Sequence, residues 1–88
     1  ADNSAQLVSV YPNPAADRVT VEILADNEDD YVVEIFNSLG AKIGTVYSGV
    51  LSQGTTKLDY STAGLAKGVY VIKVGNQGAY QTIRLIKE

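Results

Sequence analysis

The densest run of potential ligand atoms is Asp26-Asn27-Glu28-Asp29-Asp30. Oxygen-bearing side chains in a row suit a hard cation such as calcium. An EF-hand loop, however, requires a glycine at its sixth place and an acid at its twelfth. Those places hold Tyr31 and Asn37. The run therefore reads as a solvated hairpin loop, holding calcium at most loosely. Asp17 and Asp59 form a conceivable acid–base pair, but neither stands in a catalytic motif, and loop carboxylates usually cap turns. The chain has no histidine and no cysteine. The commonest general base, the thiolate nucleophile and thiolate metal sites are therefore absent. Six tyrosines offer rings for stacking on a sugar: Tyr11, Tyr31, Tyr47, Tyr60, Tyr70 and Tyr80. Alternation assigns Tyr31, Tyr47 and Tyr70 to the core and leaves Tyr80 on the outer face opposite Lys73. One exposed ring is not a platform. No catalytic residue, metal or cofactor is expected.

The elements that carry these residues are strands. In Arg18–Ile23, Val19, Val21 and Ile23 share one face while Arg18, Thr20 and Glu22 share the other. Tyr31–Phe36, Lys42–Ser48, Thr55–Tyr60, Gly68–Val74 and Tyr80–Ile86 alternate in the same way, and Gln6–Val10 reads as a first strand. About seven short strands with turn signals roughly every ten residues predict an all-β, immunoglobulin-like antiparallel sandwich. The length, 88 residues, allows one domain. Residues 1–6 read as the end of a linker and residues 7–88 as the domain.

Two hairpins can be registered from their faces. Matching Tyr31, Val33 and Ile35 with Ile43, Thr45 and Tyr47 pairs Asn37 with Ala41. A three-residue loop, Ser38-Leu39-Gly40, then ends on a left-handed glycine. Placing Lys73 outward turns Tyr70, Ile72 and Val74 inward. Pairing Tyr70 with Ile83 fits a tight turn around Gly75-Asn76-Gln77-Gly78. Ile83 and Leu85 then face the core, and Arg84 and Ile86 face out. Replacing the basic pair Arg84 and Lys87 with alanine is expected to spare the core.

Near the start stands Val-Tyr-Pro-Asn-Pro-Ala-Ala-Asp. Pro12 and Pro14 lack N–H groups, so the side to which alternate residues aim them cannot be paired. The segment reads as a stiff connector between two strands. Its spacing is PxP, which rules out a PxxP ligand. Charge is uneven. Residues 1–34 hold eight acids and one base, whereas residues 35–88 hold two acids and six bases that do not cluster in sequence. An acidic chain without a basic run is a poor ligand for nucleic acid. Its apolar runs are too short to span a bilayer as a helix.

The order of boxes goes further. YPNPAADRVTVEI, FNSLGAKI, LAKGVYVIKV and the terminal IRLIKE together resemble the type A C-terminal sorting domain of the type IX secretion system of Bacteroidota. The resemblance covers about Leu7 to Lys87. It implies a domain carried behind an exported cargo, held in the periplasm in transit and then delivered to the cell surface or beyond. The implied partners are the outer-membrane type IX translocon with its shuttle components, a cell-surface sortase and the cargo itself. The sortase would remove the domain at or just before residues 1–6, commonly joining the cargo to anionic lipopolysaccharide. Matched positions make Pro12, Asn13, Pro14, Ala15, Gly40, Gly68, Tyr70, Ile83, Arg84, Leu85, Ile86 and Lys87 the candidate recognition residues. Glu88 departs from the basic residue on which many members end. The alternative is an immunoglobulin-like adhesive or carbohydrate-binding module retained on a secreted enzyme.

Overall fold

The computed structural model describes residues 7–76 and 78–88. Seven strands run in chain order: β1 (Leu7–Tyr11), β2 (Arg18–Ala25), β3 (Asp29–Asn37), β4 (Lys42–Leu51), β5 (Gly54–Ser61), β6 (Gly68–Asn76) and β7 (Ala79–Lys87). The described residues contain no helix. One antiparallel sheet has the order β1-β2-β5 and the other β4-β3-β6-β7. This is the expected immunoglobulin-like sandwich. Relative to the constant-type arrangement, the fourth strand has joined the second sheet. The expected linker at residues 1–6, its cleavage position and the first residue of the expected Gln6–Val10 strand lie outside the described residues.

The core is made by alternation. Val19, Val21 and Ile23 of β2 are fully buried, as are Val33 and Ile35 of β3, Ile72 and Val74 of β6 and Leu85 of β7. Each aliphatic side chain of this size contributes roughly 1.5–3 kcal/mol when taken from water. Tyr31 and Tyr70 are buried among them, and Tyr47 and Tyr60 pack at the margin. Core filling by tyrosine is as expected, with Tyr60 as an additional case.

The acidic run is not a hairpin loop. Its first residues connect β2 to β3, which lie in different sheets, and Asp29 and Asp30 already belong to β3. The loop part, Asp26–Glu28, is exposed.

The β3–β4 hairpin closes as predicted. The Asn37 N–H donates to the Ala41 carbonyl at 2.9 Å, and Gly40 takes φ +87°. Asn37 Oδ1 also accepts the N–H groups of Leu39 and Ala41 at 2.9 and 3.0 Å. Beyond the turn the expected register fails. Two shifts, between Val33/Glu34 and Ile35/Phe36, insert Ile43 and Val46 as extra residues of β4. Ile35 faces Gly44, Val33 faces Tyr47 and Tyr31 faces Gly49. Ile43 and Thr45, expected inside, are exposed. The cause is tyrosine packing, from the facing sheet at Gly44 and from β4 itself at Gly49. A Cβ on Gly44 would stand 2.7 Å from Tyr60 Oη, and one on Gly49 would stand 3.3 Å from Tyr47 Oη. β4 turns glycines inward because two tyrosine rings occupy that space.

The β6–β7 hairpin also departs from expectation. Tyr70 pairs with Leu85 and Ile72 with Ile83. The shift is two residues, so every side chain keeps its predicted face. The connection between Asn76 and Ala79 places Gly78 at φ +88° inside the loop. A two-residue hairpin loop favours glycine at such a position. The expected register instead placed Gly78 in a flanking pair.

Gly44→Val should destabilise the protein by about 1–3 kcal/mol, because the new side chain must displace Tyr60. Urea unfolding checks this. The companion change Tyr60→Phe removes the hydroxyl at the point of collision and should recover part of the loss.

Candidate functional site

β7 is an edge strand of its sheet. An edge presents a row of unpaired N–H and C=O groups. Here the connection from β1 to β2 leaves its own sheet and covers half of that row. Asn13 Nδ2 donates to the Arg84 carbonyl at 2.8 Å, and Asn13 Oδ1 accepts the Ile86 N–H at 3.0 Å. The Ala15 N–H donates to the Ile86 carbonyl at 2.7 Å, and the Ala15 carbonyl accepts the Glu88 N–H at 2.8 Å. Ala15 thus makes a one-residue parallel bridge opposite Lys87. The amide of Asn13 supplies one donor and one acceptor, which is what a strand residue would offer.

Pro12 and Pro14 explain why the two other residues make these bonds. Lacking N–H groups, they cannot donate to the edge, and Asn13 and Ala15 make all four contacts. The reading of the prolines as a connector between strands holds. It missed where the connector goes. Both the Tyr11–Pro12 and Asn13–Pro14 peptide bonds are cis.

The same end of the sandwich holds the later boxes. Gly68 pairs with Lys87, and Tyr70 with Leu85, on the side of β7 away from Asn13. Tyr70 Oη donates to the Ala66 carbonyl at 2.7 Å, which anchors the approach to β6. Gly68 has φ +152°, and a Cβ there would meet nothing within 4 Å. The demand for glycine at 68 is therefore one of backbone conformation. Asn37 pairs with Tyr70, so the turn containing Gly40 lies at this end too, two strands from β7.

Sequence reasoning missed Thr62. Its side chain is fully buried, its Oγ1 donates to the Ala16 carbonyl at 2.8 Å and its N–H donates to the Asp17 carbonyl at 2.9 Å. These bonds hold the β5–β6 connection against the β1–β2 connection. A threonine in a polar turn carries no hydropathy signal that would have marked it.

The terminal candidates divide by face. Arg84 and Ile86 are exposed on the outer face, as expected, and Leu85 is fully buried. Ile83 is half-buried. Lys87 corrects an expectation. It shares the inward side with Leu85, is only 9% exposed, and its Nζ donates to the Glu88 carbonyl oxygen at 3.0 Å. Replacing it does not spare the core, so Arg84 is the residue to vary alone.

The other chemical candidates are occupied structurally. Asp17 and Asp59 line one shallow groove, but Asp59 Oδ1 accepts the Thr20 hydroxyl at 2.8 Å. The Tyr11 hydroxyl donates to Glu22 Oε1 at 2.9 Å, and that bond raises the Tyr11 pKa above its ordinary value. Burial does the same for Tyr31. No group of three or more His, Cys, Asp or Glu side chains that could hold a metal ion occurs among the described residues, and no helix among them is long and apolar enough to cross a membrane.

Fold and site together define a small β-sandwich whose last strand is held in place by a proline-bracketed segment from the opposite sheet. The chain belongs to the family of secretion system C-terminal sorting domains, whose family model matches residues 9–88. It is a sorting signal of type IX secretion, carried by a protein bound for the cell surface or the extracellular space. Comparison with curated proteins finds no match.

Asn13→Ala should cost about 1–2 kcal/mol, the sum expected for two hydrogen bonds. Hydrogen exchange gives the sharper check. The Ile86 amide should lose protection while the Ile72 amide, in the interior of the sheet, keeps it. Gly68→Val should destabilise by about 1–3 kcal/mol through backbone strain alone. An unchanged melting temperature would contradict that cause.

Proposed function

We propose that this domain works as a detachable address label. The cargo crosses the inner membrane by a separate signal. The folded domain then docks with the outer-membrane type IX translocon and its shuttle components. A cell-surface sortase cuts it away near its N-terminus, and the cargo passes to anionic lipopolysaccharide or is released. The domain itself performs no catalysis and acts by being bound.

The observation that carries this reading is the convergence of the boxes on one strand. Asn13 and Ala15 hold one side of β7, Gly68 and Tyr70 pair with the other, and Arg84 and Ile86 stand outward between them. A rigid terminal strand with fixed outward side chains is a surface that a receptor can read at low ordering cost.

Residues 1–88 fused behind a passenger with an inner-membrane export signal should carry it across the outer membrane of a type IX-competent cell. The mass of the exported passenger should show that the domain has been removed. A passenger that stays periplasmic while native cargo is exported would overturn the proposal. A passenger exported with the domain still attached would favour a retained accessory module.

A further inference from the structure

The two sheets differ on their outer faces. On the β1-β2-β5 sheet the outward side chains include Thr20, Glu22, Lys57 and Asp59, tied by side-chain bonds such as Thr20–Asp59. The outer face of the β4-β3-β6-β7 sheet is apolar along two rows. Val69 and Ile86 lie directly opposite each other, 42% and 39% exposed, and Phe36, Val71 and Arg84 form the next row.

The charges on this face do not balance. Glu34 stands opposite Lys73, yet its carboxylate lies 2.9 Å from Lys42 Nζ. Lys73 Nζ instead sits 4.4 Å from the centre of the Tyr80 ring. Arg84 makes no side-chain hydrogen bond or ion pair among the described residues. Lys73 faces Thr82, so Arg84 is its diagonal neighbour across β6 and β7, about 7–8 Å away in such a sheet. Tyr80 lies on the other diagonal, so Lys73 leans away from Arg84. Arg84 is thus left, among the described residues, as an unpaired cation beside an apolar surface.

Two open grooves flank Lys73 and Tyr80. One, of about 370 Å³, is lined by Phe36, Gly40 and Val71 among others; the second, of about 530 Å³, by Val32 and Gly75 with the acids Asp30 and Glu34.

We infer that this face is where the secretion machinery docks. The partner surface is a protein segment that sets apolar side chains against Val69, Ile86 and the two grooves and brings a carboxylate to Arg84. The inference rests on the sorting role proposed above and adds to it the face used and the partner's chemistry. It also gives Gly40, Arg84 and Ile86 a common location.

The test uses the same passenger fusion. Arg84→Glu, and separately Val69→Ser with Ile86→Ser, should each reduce export by about tenfold or more, as expected for losing a central charge or apolar anchor at an interface. Arg84→Lys should retain most export, and Leu24→Ser with Lys57→Ser on the opposite sheet should retain all of it. Melting of the purified variants separates docking from folding. Should Val69→Ser with Ile86→Ser unfold the domain, Val69→Thr with Arg84→Gln takes its place and should show the same loss. Normal export of folded Arg84→Glu, or an equal loss in the opposite-sheet variant, would overturn the docking face while leaving the sorting role intact. Failure of the unmodified fusion would overturn both.

Discussion

The unpaired edge of β7 is the constraint around which this end of the protein is arranged. An antiparallel sandwich of this size ends on a strand with one bonded side and one open side. The open side must be blocked, or it will pair with whatever extended chain it meets. Here the blocking piece comes from a segment near the start of the domain. Asn13 and Ala15 bond to carbonyls and amides separated from them by most of the chain. The free side of the last strand is therefore covered only when the first connection is correctly placed, while β6 holds its other side. Thr62 reinforces the arrangement by tying the β5–β6 connection to the carbonyls of Ala16 and Asp17.

That dependence joins fold to function. The edge contacts add to the pairing with β6 in fixing the outward side chains of β7. A chain that has not closed its β1–β2 connection leaves Arg84 and Ile86 on a strand bonded on one side alone. The docking proposed above would then depend on that closure as well. The core supports this by simple means. Buried aliphatic residues of β2 lie against those of β3 and β6, and tyrosines fill the margins where aliphatic side chains would be too short.

What the sequence revealed was set by which physical signals alternate. Strand faces follow from hydropathy with period two, so all seven strands and the inward set of β2, β3 and β6 were legible. Register was less so. In the second hairpin a shift of two residues leaves every face unchanged, and alternation cannot distinguish Tyr70–Ile83 from Tyr70–Leu85. In β4 the inward residues include Gly44 and Gly49 beside Tyr47 and Leu51; the glycines carry no apolar signal, and their role depends on the rings of Tyr60 and Tyr47. The proline box was legible as a connector. Its contact with β7 was not, because one side-chain amide bonding over more than 70 residues leaves no local pattern. Lys87 was misread for a related reason: alternation placed it inward, but its charge suggested a surface position.

The irregular β4 strand has a consequence for the protein in a crowded compartment. Its outer edge is the other exposed margin of the four-stranded sheet, and two inserted residues break the regular spacing of its amides. A straight strand from a neighbouring molecule finds matching partners for only a few residues before the pattern falls out of step. Edge-to-edge growth of the four-stranded sheet is therefore hindered by irregularity at β4 and by the cap over the Arg84–Glu88 end of β7. Two inserted aliphatic residues and one asparagine thus limit, at the margins of this sheet, what net charge alone does not.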